Sequence, residues 1–230
     1  MSLSYLLQVD VVGEAETGVK EVPIWDIIKD SSQGFGLVIN IVLALMLGYA
    51  IFVFVERYLA LRKATKEEAG LLAKIREYIM DGKIDQAKDY CARSNSPSAR
   101  MLEKGIARLG KPMDSIFTSI ENTGKLEISR LEQRVSFLAT AAGAAPMIGF
   151  LGTTIGMVKV FIALGNESAL ELSVIAPGIM TAMITTVGGL IVGILAYVGY
   201  NFLVARIGRV VYHMENDALE FMDLLNEPGK

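Results

Sequence analysis

Three stretches of the chain carry no charged residue: 36–55, 135–158 and 172–205, of 20, 24 and 34 residues. This feature limits the fold more than any other. About 20 apolar residues in a helix cross a hydrocarbon core of about 30 Å, so each stretch is long enough to span. The third exceeds the requirement and must tilt or project beyond the bilayer. A mean hydropathy of +0.43 over 230 residues follows from these runs. The sequence therefore predicts an all-α membrane protein with three transmembrane helices, two of them long and extended into a cytoplasmic helical domain.

The charges set the orientation. Residues 1–35 carry two lysines against six acids, whereas residues 56–134 carry 16 Lys or Arg against 12 acids. Arg57, Arg62, Lys63 and Lys66 follow the first span, Arg130 and Arg134 precede the second, and Arg206 and Arg209 follow the third. The short loop between spans two and three holds Glu167 and Glu171. Basic residues near helix ends stay on the cytoplasmic side, which places the N-terminus outside and the C-terminus inside. The start of the chain has neither a basic n-region nor a long apolar h-region, so no cleaved secretory signal is expected.

The segments follow: an outer arm over 1–35, the first span at 36–55 and a cytoplasmic helical domain over 56–134. The second span covers 135–164, an outer loop 165–171, the third span 172–205 and a cytoplasmic helix 206–230. In the arm, residues 21–32 read as a short interfacial helix with Trp25, Ile27 and Ile28 in the headgroup layer; a loose arm with one belt tryptophan fits equally. In the cytoplasmic domain, Thr65 and Glu68 stand at capping-box spacing and predict a helix start. Asp81-Gly82 ends that helix, a second short helix follows, and Ser96-Pro97 opens a third that stops before Pro112. From Met113 onward the chain runs into span two without a proline, so one continuous helix from cytoplasm into membrane is expected. Span three likewise runs on into an amphipathic tail.

Small residues form a stripe on each of the last two spans. On span three these are Ala182, Thr186, Gly189, Gly193 and Ala196; on span two they are Ala145, Gly149, Gly152, Gly156 and Ala163. In lipid such stripes mark helix contacts, either with each other or with a neighbouring subunit. Lys159 falls on the span-two stripe, about four peptide rises (roughly 6 Å) from the expected helix end. Snorkelling to the interface accounts for it; so does a cation at the mouth of an internal cavity, facing Glu167, Glu171 or an acid of a partner. Thr153, Thr154, Thr181, Thr185 and Thr186 lie at similar depth. Threonines in membrane helices often bond their own backbone, but five at one level also fit a wet or partner-facing pore lining. Pro177 deprives the Ser173 carbonyl of its donor and is expected to break the helix.

The segments "APMIGFLGTTIGMVKVFIAL" and "IAPGIMTAMITTVGGLIVGILAYVGYN" resemble the MotA, TolQ and ExbB proton-channel family. The resemblance rests most on Pro146, Gly149, Gly152, Thr153, Gly156, Phe161, Pro177, Gly178, Thr186, Gly189 and Asn201, with Glu56-Arg57 closing the first span. Length and topology are similar to ExbB and TolQ. The resemblance implies a subunit of an inner-membrane motor, a pentamer around a dimeric single-span partner similar to ExbD or TolR. That partner carries a membrane aspartate and passes work to a TonB-like or TolA-like protein across the periplasm. It implies that Thr153 and Thr186 line the pore. The chain departs from the family pattern at Thr181, where ExbB and TolQ commonly carry a glutamate, and at Lys159.

One cysteine, Cys91, excludes an intrachain disulfide, and one histidine, His213, argues against a Cys/His metal site. No phosphate loop, nucleophile elbow or histidine pair is present, so neither enzyme activity nor a cofactor is expected, and no nucleic-acid partner. Lipid, further copies of the chain and the motor partners are the expected contacts. Alternatives within the family are a TolQ-like motor or one for gliding or secretion; outside it, a passive membrane scaffold.

Overall fold

The protein is described by a computed structural model over residues 35–67, 70–94, 96–166 and 172–226. The expected interfacial helix at 21–32, Glu68, Glu167 and Glu171 lie outside the described residues. Seven helices make up the described chain: α1 (Phe35–Glu67), α2 (Leu71–Met80), α3 (Ile84–Arg93), α4 (Pro97–Ile106), α5 (Met113–Glu132), α6 (Val135–Asn166) and α7 (Leu172–Asn226). Among the described residues, α1, α6 and α7 are the helices long and apolar enough to cross a membrane. The all-helical, three-span architecture matches the sequence reading.

The spans are prolonged rather than capped at the bilayer. α1 carries its helix through Thr65 to Glu67, so the expected start at Thr65 does not exist. The next helix begins after Gly70, whose φ of 87° only glycine adopts readily. The chain there turns instead of capping, because the apolar pattern of α1 continues past Glu56 and buries Leu61 and Ala64 against the bundle. The other breaks fall where turn chemistry puts them. Gly82 and Gly110 take positive φ after α2 and α4, and Ser96 accepts a 3.1 Å bond from the Ala99 amide with Pro97 in the first turn.

The expected continuous helix from Met113 into the membrane is interrupted. α5 stops at Glu132 and α6 starts at Val135, with Gln133 extended (ψ 135°) and Arg134 left-handed at φ 67°. A left-handed non-glycine residue costs about 1–2 kcal/mol, and the local sequence Glu-Gln-Arg-Val has no intrinsic reason to break. Tertiary contacts impose the break. Arg134 reaches Glu56 of α1 at 2.8 and 3.0 Å, and Arg57 donates to the Arg130 carbonyl at 3.1 Å.

α6 and α7 pack along each other more extensively than any other pair, with α1 against both. A small membrane core joins Ile39 and Leu43 of α1 to Ala145 and Val192. The larger core starts at Val53 and Leu138 and runs down through Leu203, Val210 and Met214 to Phe221. There α4 and α5 close on the lower half of α7, with Leu102, Ile106, Ile116 and Ile120 buried. α7 is thus one unbroken rod serving both the membrane unit and the cytoplasmic bundle.

Candidate functional site: a hydroxyl pair between two close-packed spans

The small residues of α6 and α7 face each other. A Cβ on Gly189 would lie 2.5 Å from the Ala145 carbonyl oxygen and 2.9 Å from the Gly149 Cα. One on Gly149 would lie 2.8 Å from the Thr185 carbonyl oxygen, one on Gly156 2.7 Å from the Ala182 Cβ, and one on Gly193 2.7 Å from the Pro146 ring. The backbones touch, which only small residues allow. Of the two options left open by the sequence, the stripes serve each other within one chain.

Close approach brings the threonines into polar contact. Thr153 Oγ1 and Thr186 Oγ1 hydrogen-bond to each other across the interface. Thr153 Oγ1 also lies 3.2 Å from the Ala182 carbonyl oxygen and Thr186 Oγ1 3.1 Å from the Gly149 carbonyl oxygen; with one proton each, one hydroxyl donates to the other while the second donates to its carbonyl. Both are half-buried. A hydroxyl supplies one donor and two acceptor lone pairs. Each oxygen here therefore keeps acceptor capacity toward whatever lies against this face. The pair is a neutral, reorientable hydrogen-bonding patch in an apolar surround.

The five threonines do not form one lining. Thr185 is fully buried: it bonds the Ala182 carbonyl at 2.8 Å and fills the space over Gly152. In the described chain it packs the α6–α7 contact. Thr154 is exposed, but it turns back to the Leu151 carbonyl at 2.8 Å on its own helix, away from the α6–α7 seam. Thr181 bonds its own Pro177 carbonyl at 2.9 Å. A residue's depth along a helix says nothing of its azimuth, and the five differ in azimuth. Pro177 does not break α7, which runs through it from Leu172. It sits in the second turn, where one missing amide disturbs little of the ladder.

Thr181 and Lys159 meet at a second feature. A cavity of about 240 Å³ opens between the upper ends of α1, α6 and α7, lined by Phe35, Ile39, Gly152, Lys159, Pro177 and Thr181 among others. Lys159 is exposed to it and has no ion-pair partner among the described residues. α6 continues to Asn166, two turns beyond Lys159. The lysine thus sits deeper than the sequence placed it, on the wall of a cavity with room for several waters at about 30 Å³ each.

Sequence reasoning missed the charged cluster at the base of the spans. Glu56 appeared there only as a family signature, and Arg57 as that and as one of the basic residues that set the orientation. The buried Glu127, accepting from Arg100 at 2.5 and 2.9 Å and from Arg130 at 2.6 Å, gave no sequence signal beyond i,i+3 spacing to Arg130.

A helical membrane unit of three spans, two of them sealed by facing small residues around a threonine pair, is the class that the geometry defines. The sequence profile of the MotA/TolQ/ExbB proton channel family matches residues 93–216, and the chain belongs to that family. Among individual relatives, the Tol-Pal system protein TolQ of Pseudomonas aeruginosa is 28% identical over 224 residues, covering 90% of this chain and 94% of its own length. The biopolymer transport protein ExbB of Salmonella typhimurium is 30% identical over 188 residues, 75% of this chain and 73% of the relative. The TolQ protein of Haemophilus influenzae is 40% identical over 100 residues, 44% of each chain.

Proposed function

We propose that the chain is an ExbB-like subunit of an inner-membrane, proton-driven motor that energises TonB-dependent transport at the outer membrane. The observation that carries this is the Thr153–Thr186 pair, two hydroxyls bridging α6 and α7 beside the Gly149 and Ala182 carbonyls. Spans 135–158 and 172–205 contain no acid of their own. A hydroxyl cannot hold a proton charge near neutral pH. In this reading the titrating group is an aspartate on the single-span, ExbD-like partner, and the threonines solvate it in each protonation state. Five copies of the chain surround the partner dimer, with the N-terminus periplasmic and the bundle in the cytoplasm. Lys159, on the cavity wall, raises the cost of cation entry from the outer side. Enzymatic chemistry has no place in this reading.

A TolQ-like role in the Tol-Pal system is the second reading. Its support is the coverage of the Pseudomonas aeruginosa TolQ match, which extends over nearly all of both chains.

Reconstitution into liposomes with and without the aspartate-bearing partner tests the proposal. Mass and gradient-dependent proton flux are measured. Assembly to a defined oligomer and flux only in the pair are expected; a monomer without flux in either case defeats the motor reading. Thr186→Val is expected to lower flux at least tenfold with assembly intact, and full flux in that variant removes Thr186 from the pore. Thr181→Glu introduces an acid at the cavity; a new pH dependence of flux is expected if Thr181 faces the ion path.

A further inference from the structure

The Arg130 carbonyl sits between two competing donors. In an unbroken helix it accepts from the amide four residues on, that of Arg134. Here the helix is broken at Gln133 and Arg134, and the Arg57 guanidinium of α1 takes that carbonyl instead, at 3.1 Å. The break also aims the Arg134 side chain at Glu56, which accepts two contacts at 2.8 and 3.0 Å. So two adjacent residues of α1, at the edge of the membrane span, hold the junction from both sides.

The held state is not over-stabilised. Arg134 is the only non-glycine residue with positive φ among the described residues. The Arg57 side chain is 13% exposed, and its Nε has no hydrogen-bond partner. Straightening relieves the left-handed backbone and restores the Arg134 amide to the Arg130 carbonyl. It costs the Glu56–Arg134 pair and the Arg57 contact. A strained backbone held by side-chain contacts from a second helix is an element that those contacts bias.

We infer that Gln133–Arg134 is a hinge between the membrane unit and the cytoplasmic bundle, latched by Glu56 and Arg57, and that the Arg130 carbonyl exchanges donors as the hinge moves. Glu56 and Arg57 are positioning residues: they act through α5 and α6, not on an ion. From the latch a contiguous set of contacts enters the bundle. Arg130 reaches Glu127 at 2.6 Å, and Glu127 reaches Arg100 of α4 at 2.5 Å. α7, unbroken, contacts α6 above the hinge and α4 and α5 below it. Straightening α5 onto α6 therefore slides the bundle against one fixed rod. The hinge stands on this geometry alone; its use in passing force between bundle and membrane rests on the motor reading.

The test is residue-resolved amide exchange on the full chain in lipid nanodiscs, with no partner and no gradient. Its outcome is thus independent of the motor reading. When latched, the amides of residues 134–136 lack helical acceptors; when straight, they have them. Arg57→Met removes the competing donor, and Arg134→Ala removes the Glu56 contact from an exposed position while favouring helix. Both are expected to slow exchange at 134–136 by tenfold or more, with Ile120 and Leu203 unchanged as controls of folding. Arg134→Gly, which adopts positive φ freely and disfavours helix, is expected to stay at least as fast as the parent. If Arg134→Ala exchanges at the parent rate, or Arg134→Gly slows as Arg134→Ala does, the hinge is refuted. Should Arg57→Met unfold the bundle, the Ile120 control reports it and the Arg134 pair of variants decides alone.

Discussion

Two titratable side chains of the bundle record their surroundings chemically. Cys91, on the inner face of α3, is fully buried in the bundle core, and desolvation, with a smaller push from Glu103, raises its thiol to about 12. The thiolate is the reactive form, so alkylation of native protein by maleimide is expected to be undetectable at neutral pH. Labelling appears only when the bundle opens. A stopped assay in rising denaturant checks this, and prompt labelling in buffer means that α3 does not hold its Cys91 face against the bundle. Asp217 projects from α7 toward the buried Ser98 of α4. Burial raises its carboxyl above the usual value of 3.8; the Ser98 hydrogen bond and His213 pull it back, and Glu220 pushes it further up. Asp217 lies some 45 residues along α7 from its outer end, roughly 67 Å of helix and well past a bilayer. A carboxyl raised in the folded state binds its proton more tightly there than in the unfolded chain. Its contribution is whole below the unfolded value and is lost as pH rises through the folded one. Asp217→Asn keeps a partner for Ser98 and removes the charge. The variant is expected to melt higher than the parent at about pH 7 and equally at about pH 3.5, where the parent carboxyl is protonated. An identical offset at both values means the substitution acts through packing alone.

At the scale of the helix, the facing glycines define how close α6 and α7 come. Gly188 and Gly189 are sequence neighbours with opposite surroundings. A Cβ on Gly188 meets only Leu43 Cδ1 at 3.7 Å, ordinary contact, while on Gly189 it meets backbone at 2.5–3.1 Å. Backbone cannot rotate aside as a side chain can, so Gly189→Ala must push the helices apart, at about 1–3 kcal/mol for an overpacked contact. Gly188→Ala is expected to be neutral or slightly stabilising. Thermal unfolding in detergent separates the two, and equal loss in both variants disproves the facing-stripe packing. What the sequence revealed at this scale depended on whether the signal was local. Ser96-Pro97, Gly82 and the charge-free runs act through their own backbone or through bulk hydropathy, and they were legible. The stripes were legible as stripes because spacings of three and four fix a face. The break at Gln133–Arg134 was not legible, because its cause, Glu56 and Arg57, lies about 78 residues away in the chain. Nor were the separate fates of Thr154, Thr181 and Thr185, since each depends on which neighbour occupies its azimuth. Pro177 misled for a related reason: its effect depends on distance from the helix start, which the sequence placed only loosely.

For the whole molecule, the decisive question is which end of the α6–α7 rod pair faces which compartment. The described surface divides sharply. α1, α6 and the upper part of α7 expose Leu45, Met147, Phe150, Ile162 and Ile194, each more than half accessible. A face of that kind belongs against lipid or another subunit. The bundle instead exposes Lys83, Asp81, Lys125 and Glu121 in surface ion pairs. Each such pair adds little stability, but together they make a surface for water. Basic residues stand at the bundle-side ends of the spans (Arg62, Arg130, Arg134, Arg209), and in the proposed reading this water is cytoplasmic. Met80, 63% exposed at the end of α2, and Gly165, exposed at the end of α6, lie on opposite sides of the expected bilayer. Because Cys91 is buried, single cysteines introduced as Met80→Cys and Gly165→Cys report their own sites. In intact cells or right-side-out vesicles, a membrane-impermeant thiol reagent is expected to label Gly165→Cys and to leave Met80→Cys untouched until the membrane is opened. The reverse pattern inverts the topology and puts the Lys159 cavity on the cytoplasmic side, where a cation at its mouth no longer opposes entry down the gradient. Labelling of both sites from outside means that at least one of the three helices does not span.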